Sequence, residues 1–148
     1  MSKLKIFICD IDGTLANISH RLHFIESKPK DWNGFFDAMD KDLPIQPVID
    51  LVKILQESLP VFYVTGRPAR YKEQTIAWLN ENKLSTIGHI FNRADGDHRP
   101  DDEIKREIYR GKIKPKFDVQ FVLDDRDRVV QMWRDEGLLC LQVASGDF

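Results

Sequence analysis

The feature that most constrains this chain is where its acidic and hydroxyl residues fall: they stand directly after short apolar runs. Leu4 to Cys9, Val61 to Val64, Val119 to Leu123 and Leu138 to Val143 have the length and near-continuous apolar character of strands buried on both faces. Ile87 to Phe91 is a weaker run of the same kind. Amphipathic stretches separate them, predicting helices near Pro47 to Glu57, Ala69 to Asn82, Asp101 to Arg110 and Asp127 to Glu136. In the first of these, Val48, Leu51, Val52 and Leu55 recur at helical spacing. Such alternation predicts an α/β fold around a mostly parallel sheet. The C-terminal ends of parallel strands share one edge, where loops form a crevice. Asp10 and Asp12 follow the first run, Thr65 the second, and Asp124 and Asp125 the run ending at Leu123, so residues far apart in sequence are expected to meet there.

The expected architecture is therefore Rossmann-like, with helices on both faces of the sheet. A chain of 148 residues suits one domain, 1–148, with one well-buried core. Residues 17–43 break the strand–helix rhythm; with Trp32, Phe35, Phe36 and Met39 spaced by polar residues, they read as a small helical insertion over the sheet edge rather than a large cap. A hydrophobic share of 42% and a charged share of 31% exclude a disordered chain. The formal net charge of -2 excludes nucleic-acid binding through overall positive charge, leaving only a local patch. Two groups could form one: Arg106, Arg110, Lys112, Lys114 and Lys116 after Lys105, and Arg67, Arg70 and Lys72. Interspersed Glu103 and Glu107 are equally consistent with a solvated helix face. The opening MSKLKIFICDID reaches an Asp too early for a secretory signal, and no stretch approaches the ~20 apolar residues of a membrane span. Cys9 and Cys140 lie within apolar runs and are expected to be reduced core residues of a cytoplasmic protein.

The central motif is Asp10-Ile11-Asp12-Gly13-Thr14-Leu15. Two carboxylates separated by one residue can share a metal, or divide the work of nucleophile and acid/base. Gly13 permits a turn that brings the main chain close to them. An acidic turn would use the same residues, so the later elements decide. Val64-Thr65-Gly66-Arg67 adds a hydroxyl and a guanidinium, Lys105 follows the loop Asp95 to Asp102, and Leu123-Asp124-Asp125-Arg126 adds a second carboxylate pair. Singly, Thr65 could be a turn hydroxyl, Lys105 a solvated helix residue and Asp124 an N-cap. Falling in this order at strand ends, they describe a site. Four histidines without paired cysteines give no zinc pattern. Trp78 and Trp133 read as packing residues, and Trp32 as the better candidate for stacking on a base.

In that order the motifs resemble the haloacid dehalogenase superfamily of phosphohydrolases. The resemblance implies that Asp10 attacks phosphorus and becomes an aspartyl-phosphate. It implies that Asp12 protonates the leaving oxygen, activates water and lends its backbone carbonyl to Mg²⁺, while Thr65 and Lys105 hold phosphoryl oxygens. Asp124 and Asp125 would complete the metal site with Asp10. An oxygen-only donor set favours Mg²⁺ over Zn²⁺. The acid Asp12 argues against dehalogenation, because halide leaves without a proton.

Further segments narrow the likeness: His20-Arg21, Val64 to Pro68, Arg99-Pro100-Asp101, Phe121 to Arg126, Met132-Trp133-Arg134 and Ala144 to Phe148. Over nearly the whole chain these resemble the 3′-phosphatase domain of phage polynucleotide kinase-phosphatases. That likeness implies Arg21, Arg67 and Asp101 as further phosphate- or substrate-binding residues beside Thr65 and Lys105. It implies DNA or RNA 3′ ends as substrate, and nucleic acid end repair as the setting. No P-loop occurs here, so the chain is expected not to add 5′-phosphates, and whether a separate kinase or ligase partner works beside it is left open by the sequence. Free mononucleotides are the alternative substrate, and a phosphate- or Mg²⁺-binding accessory module the alternative without turnover. Arg21 and Arg67 belong to no apolar run, so their removal is expected to spare the fold.

Overall fold

The computed structural model describes residues 2–148. In chain order the elements are β1 (Leu4–Cys9), β2 (Ala16–Asn17), α1 (His23–Glu26), α2 (Trp32–Asp37), β3 (Leu43–Pro44), α3 (Gln46–Leu55), β4 (Val61–Pro68), α4 (Lys72–Glu81), β5 (Ile90–Arg93), α5 (Asp101–Ile108), β6 (Phe117–Asp124), α6 (Asp127–Asp135) and β7 (Cys140–Gln142). The main sheet is parallel, in the order β5-β4-β1-β6-β7. The chain starts at the centre, fills one side of β1 with β4 and β5, then crosses back to place β6 and β7 on the other.

This reversal distributes the helices. Residues of β1 alternate: Ile6 and Ile8 pack with Ile104 and Ile108 of α5 and Val129, Val130, Met132 and Trp133 of α6. Phe7 and Cys9 pack with Ile49 and Val52 of α3 and Trp78 and Leu79 of α4. Helices cover both faces, so the middle of β1, from Ile6 to Cys9, is apolar and buried on both sides. Cys9 and Cys140 are buried free thiols; burial pushes the Cys140 thiol up to about 12.

Several boundaries differ from the sequence expectation. β4 continues through Thr65, Gly66, Arg67 and Pro68, because Pro68 still pairs with Arg93 of β5. β7 shortens to Cys140–Gln142, with Leu139 and Leu141 exposed at the sheet edge. β5 begins at Ile90, leaving Ile87 in solvent. A 3-10 turn over Ala69–Tyr71 precedes α4, and α5 gives way to a π-helical turn over Tyr109–Ile113.

The segment after β1 leaves and returns through the β2–β3 ribbon, where Ala16 pairs with Pro44 and Asn17 with Leu43. Between them α1 and α2 build a small cluster of Phe35, Phe36 and Met39 against Tyr71, with Ile18, Leu22, Phe24 and Ile25 partly buried around it. Asp31 caps α2 by accepting from the Gly34 amide at 2.9 Å. No helix among the described residues is long and apolar enough to cross a membrane.

Ile8 lies in the central strand and is 1% exposed, whereas Ile54 of α3 is 67% exposed. Ile8→Ala should therefore lower unfolding free energy by about 2–5 kcal/mol, and Ile54→Ala by less than about 0.5 kcal/mol. Urea denaturation of both variants checks the contrast.

Candidate active site

Three adjacent strands, β4, β1 and β6, end at the site. The ladder between β1 and β6 continues one residue beyond β1, as the Asp10 amide donates to the Leu123 carbonyl at 2.9 Å. This holds Asp10 level with Asp124, the last residue of β6. The next residues wind into a tight loop in which the amides of Thr14, Leu15 and Ala16 all donate to the Ile11 carbonyl. Gly13 has φ +84°, and a Cβ on it would collide with the Asp125 carboxylate. Only glycine admits that approach.

Lys105 reaches the strand edge from α5. Its ammonium donates to Asp10 Oδ1 at 2.8 Å and Asp124 Oδ2 at 3.1 Å. Asp101, one helical turn earlier, shares its face of α5. The Thr14 hydroxyl lies 3.0 Å from Asp10 Oδ2 and 3.3 Å from Asp125 Oδ1. Trp133 Nε1 donates to Asp124 Oδ2 at 3.2 Å, and the Asp125 amide donates to Asp124 Oδ1 at 2.8 Å. Asp10, Asp124 and Asp125 are all buried, and each offers a carboxylate oxygen within 4.8 Å of the others.

This packing costs electrostatic free energy. Burial raises the Asp10 carboxyl well above its ordinary range, Asp124 raises it further, and Lys105 offsets only part. Burial also raises Asp125, despite the hydrogen bond from Thr14. Lys105, whose charge burial disfavours, is held above its usual value by Asp10 and Asp124. A divalent cation among the three carboxylates would relieve the repulsion, and the oxygen-only donor set suits a hard ion such as Mg²⁺.

Asp12 faces a different environment. Arg21 Nη2 donates to Asp12 Oδ1 at 2.8 Å, and Arg67 donates to the same oxygen through Nε at 3.0 Å and Nη2 at 2.6 Å. Burial alone would raise the Asp12 carboxyl, but Arg67 and Arg21 outweigh it and hold it below its ordinary value. Asp12's side chain is outside the three-carboxylate cluster.

Asp42 completes this second network and carried no sequence signal, since it sits in the charged run Asp40-Lys41-Asp42. Its carboxylate accepts from Arg21 Nε at 2.8 Å, Arg21 Nη2 at 2.7 Å and Arg67 Nη2 at 3.3 Å, and lies 2.6 Å from His20 Nε2. Its carbonyl accepts from Trp78 Nε1 at 2.9 Å. Arg21 and Arg67 are 0% exposed. They do not line the cavity described below; they clamp Asp12 to Asp42. Removing either leaves Asp12 and the buried Asp42 to share one guanidinium, so the fold is expected to weaken although neither arginine belongs to an apolar run.

Thr65 is buried at the end of β4, its hydroxyl accepting from the Arg67 amide at 3.1 Å. Asp101 is gripped by Arg93 of β5 and by Arg126, which donates from Nη1 at 3.0 Å. Thr14, Arg93 and Arg126 were also missed by the sequence reading, although Thr14 and Arg126 stand inside its two acidic motifs. Trp78 and Trp133 pack as expected, and in addition each donates to an aspartate of the site. Arg106 and Arg110 pair with Glu136 at 3.2 and 2.7 Å, away from the site.

A cavity of about 550 Å³ opens over these strand ends. Asp10, Asp12, Lys105, Asp124 and Asp125 line its floor.

Two predictions follow from the opposed charge balances. The folded-state carboxyl of Asp10 lies above its unfolded value, so its ionised form weakens the metal-free fold at neutral pH, and stability is gained as pH falls through the folded value. Asp10→Asn should therefore be more stable than wild type in chelator. Saturating Mg²⁺ should narrow or reverse the gap, since ion at ten times its Kd stabilises the wild type by about 1.4 kcal/mol. Lower stability of the variant in chelator would contradict this balance. Asp42→Ala should cost about 3–5 kcal/mol in denaturant melts, because two buried guanidiniums then share one carboxylate.

The profile of the polynucleotide kinase PNKP phosphatase domain matches residues 4–148. The chain superposes on a chain of the Pnkp1/Rnl/Hen1 RNA repair complex with a TM-score of 0.86 and 34% identity, covering 100% of itself and 45% of that chain. It is 27% identical over 133 residues to a protein of Autographa californica nuclear polyhedrosis virus assigned as a bifunctional polynucleotide kinase/RNA ligase, covering 88% of itself and 18% of the viral protein. It thus spans less than half of either relative. A haloacid dehalogenase-like family hydrolase of Streptococcus pneumoniae shares the fold, with a TM-score of 0.65 and 13% identity over 96% of this chain and 85% of that one.

Proposed function

The chain belongs to the family of polynucleotide kinase PNKP phosphatase domains, and we propose that it removes 3′-phosphates from polynucleotide ends through a phosphorylated Asp10. The observation that carries this reading is the segregation of two carboxylates only two residues apart. Asp10 lies with Lys105, Asp124 and Asp125, whereas Asp12 lies in an arginine clamp. On this reading Asp10 attacks phosphorus and Asp12 moves a proton.

In the first step an oxygen of Asp10 forms a bond to phosphorus, and the bond from phosphorus to the 3′ oxygen breaks. Asp12 delivers its proton to that departing oxygen. Arg67 and Arg21 keep Asp12 ionised in the free protein. The arriving anionic phosphate adds negative charge beside it and favours the protonated form. In the second step Asp12 takes a proton from water as the water oxygen attacks phosphorus, and the bond to Asp10 breaks to release inorganic phosphate. Lys105 and Thr65 hold phosphoryl oxygens. Asp10, Asp124, Asp125 and the Asp12 carbonyl would hold Mg²⁺, which when bound neutralises charge among the carboxylates and on the phosphate.

Asp101 acts through its partners. Fixed by Arg93 and Arg126, it anchors the start of α5 and so sets where Lys105 stands. A kinase or ligase acting on the same ends is the partner this reading calls for, in keeping with the RNA repair complex of one relative and the kinase/ligase assignment of the viral protein.

Phosphate release should be measured from 3′-phosphorylated oligonucleotides, 5′-phosphorylated oligonucleotides and nucleoside monophosphates, with Mg²⁺ and with chelator. Mg²⁺-dependent release from the first, well above the others, is expected; preference for monophosphates would replace the substrate. Asp10→Asn should abolish turnover. Asp12→Asn should impair an alkyl phosphate by ~100-fold or more, and an activated aryl phosphate far less, because the aryl leaving group scarcely needs a proton. Equal losses would remove Asp12 from the acid role.

A further inference from the structure

The walls of the cavity differ in what they leave available. On one side the charged groups are already engaged: Arg93 with Asp101, Arg126 with Asp101 and the Phe148 carbonyl, and Arg99 with Asp97 and Glu107. The segment after β1 lines the cavity mainly with apolar groups, Ile18, Leu22, Trp32, Phe35 and Phe36, beside Lys30 and Asn33. Phe35 and Phe36 are 5% and 8% exposed and form part of the small cluster under this wall. Trp32 is 46% exposed. Its indole lies edge-on to Phe35, with centroids 5.7 Å apart, and offset-parallel to Phe36 at 6.1 Å. Its neighbours thus hold the ring, and Lys30 Nζ lies over it, 5.6 Å from its centre.

A large aromatic ring held by its neighbours, 46% exposed, covered only by a flexible lysine and beside a phosphate-handling floor, has the features of a stacking platform. The cavity encloses both this wall and Asp10. Its volume of about 550 Å³ suits a terminal nucleotide. Base–aromatic stacking is tolerant of sequence, because every base has a π-face. We propose that the Trp32 platform, backed by Phe35 and Phe36, seats the unpaired terminal nucleobase of the substrate while its 3′-phosphate reaches Asp10. This inference rests on the polynucleotide reading above and adds to it a specific seat for the base. Affinity then comes from the terminal base more than from backbone charge, in accord with a net charge of -2 and with arginines already paired.

The test compares single-stranded oligonucleotides of one sequence whose 3′-phosphorylated terminal residue either carries its base or is abasic. For the wild type, loss of the base should raise KM ~10-fold, about 1.4 kcal/mol, with little change in kcat. Trp32→Ala should raise KM by a similar factor on the base-bearing substrate and far less on the abasic one. Trp32→Phe, which keeps an aromatic face, should recover most of the loss. Equal KM for the two substrates in the wild type would overturn the proposal without help from any variant. Equal losses for Trp32→Ala on both substrates would also overturn it, because a purely structural effect ignores the base. Release from an aryl phosphate but from neither oligonucleotide would overturn the polynucleotide reading, and the base seat with it.

Discussion

The whole arrangement depends on the crowding of Asp10, Asp124 and Asp125 around one ammonium. Lys105 bridges Asp10 and Asp124, yet burial and mutual repulsion still leave Asp10 with a carboxyl raised well above its ordinary range. A structure does not collect buried like charges for stability; left without a further cation, the cluster weakens the fold it sits in. The parallel sheet imposes the arrangement. Asp10 and Asp124 end adjacent strands, and the ladder extends across them, so neither carboxylate can retreat without breaking the centre of the sheet.

The second network answers the first with the opposite balance. Around Asp12 and Asp42, two arginines face two carboxylates, and Asp12 is drawn below its ordinary value. One backbone step beyond Ile11 therefore separates a carboxyl raised by its surroundings from one lowered by them. Environment, not residue type, distinguishes these two carboxyls, which the proposed mechanism uses as nucleophile and acid/base. Asp42 joins this site to the rest of the segment after β1, because its carbonyl also holds Trp78 of α4. The clamp consequently ties that segment to both β4 and α4, and the wall carrying Trp32 is anchored through the same residues that orient Asp12.

What could be read from sequence follows from which contacts are local. Buried parallel strands announce themselves as apolar runs, and their ends share an edge, so Asp10, Asp12 and Asp124 were legible, while Lys105, on a helix, was read only from its place in the order of motifs. The orientation of Arg21 and Arg67 was not, since it depends on Asp42 returning beside β2 through the β2–β3 ribbon. That return leaves no periodic signature. Pro68 reads as a break after Val64, yet β4 continues to it because only β5 pairs there. Thr14 stood inside the first motif and was passed over because a Thr after Gly also suits a turn. Trp133 was legible as packing, but its donation to Asp124 requires knowing that α6 folds back over the end of β6.

The most direct measurement asks whether phosphate passes through Asp10. Borohydride added during turnover reduces an acyl phosphate to the alcohol, converting an aspartyl-phosphate to homoserine in place, and peptide mass spectrometry then locates it. The account predicts homoserine at position 10 in protein quenched with substrate and Mg²⁺, and none at position 12 or in protein without substrate. Continued phosphate release with position 10 unmodified in a quench that captures the pre-steady-state burst, or homoserine at position 12, would contradict it.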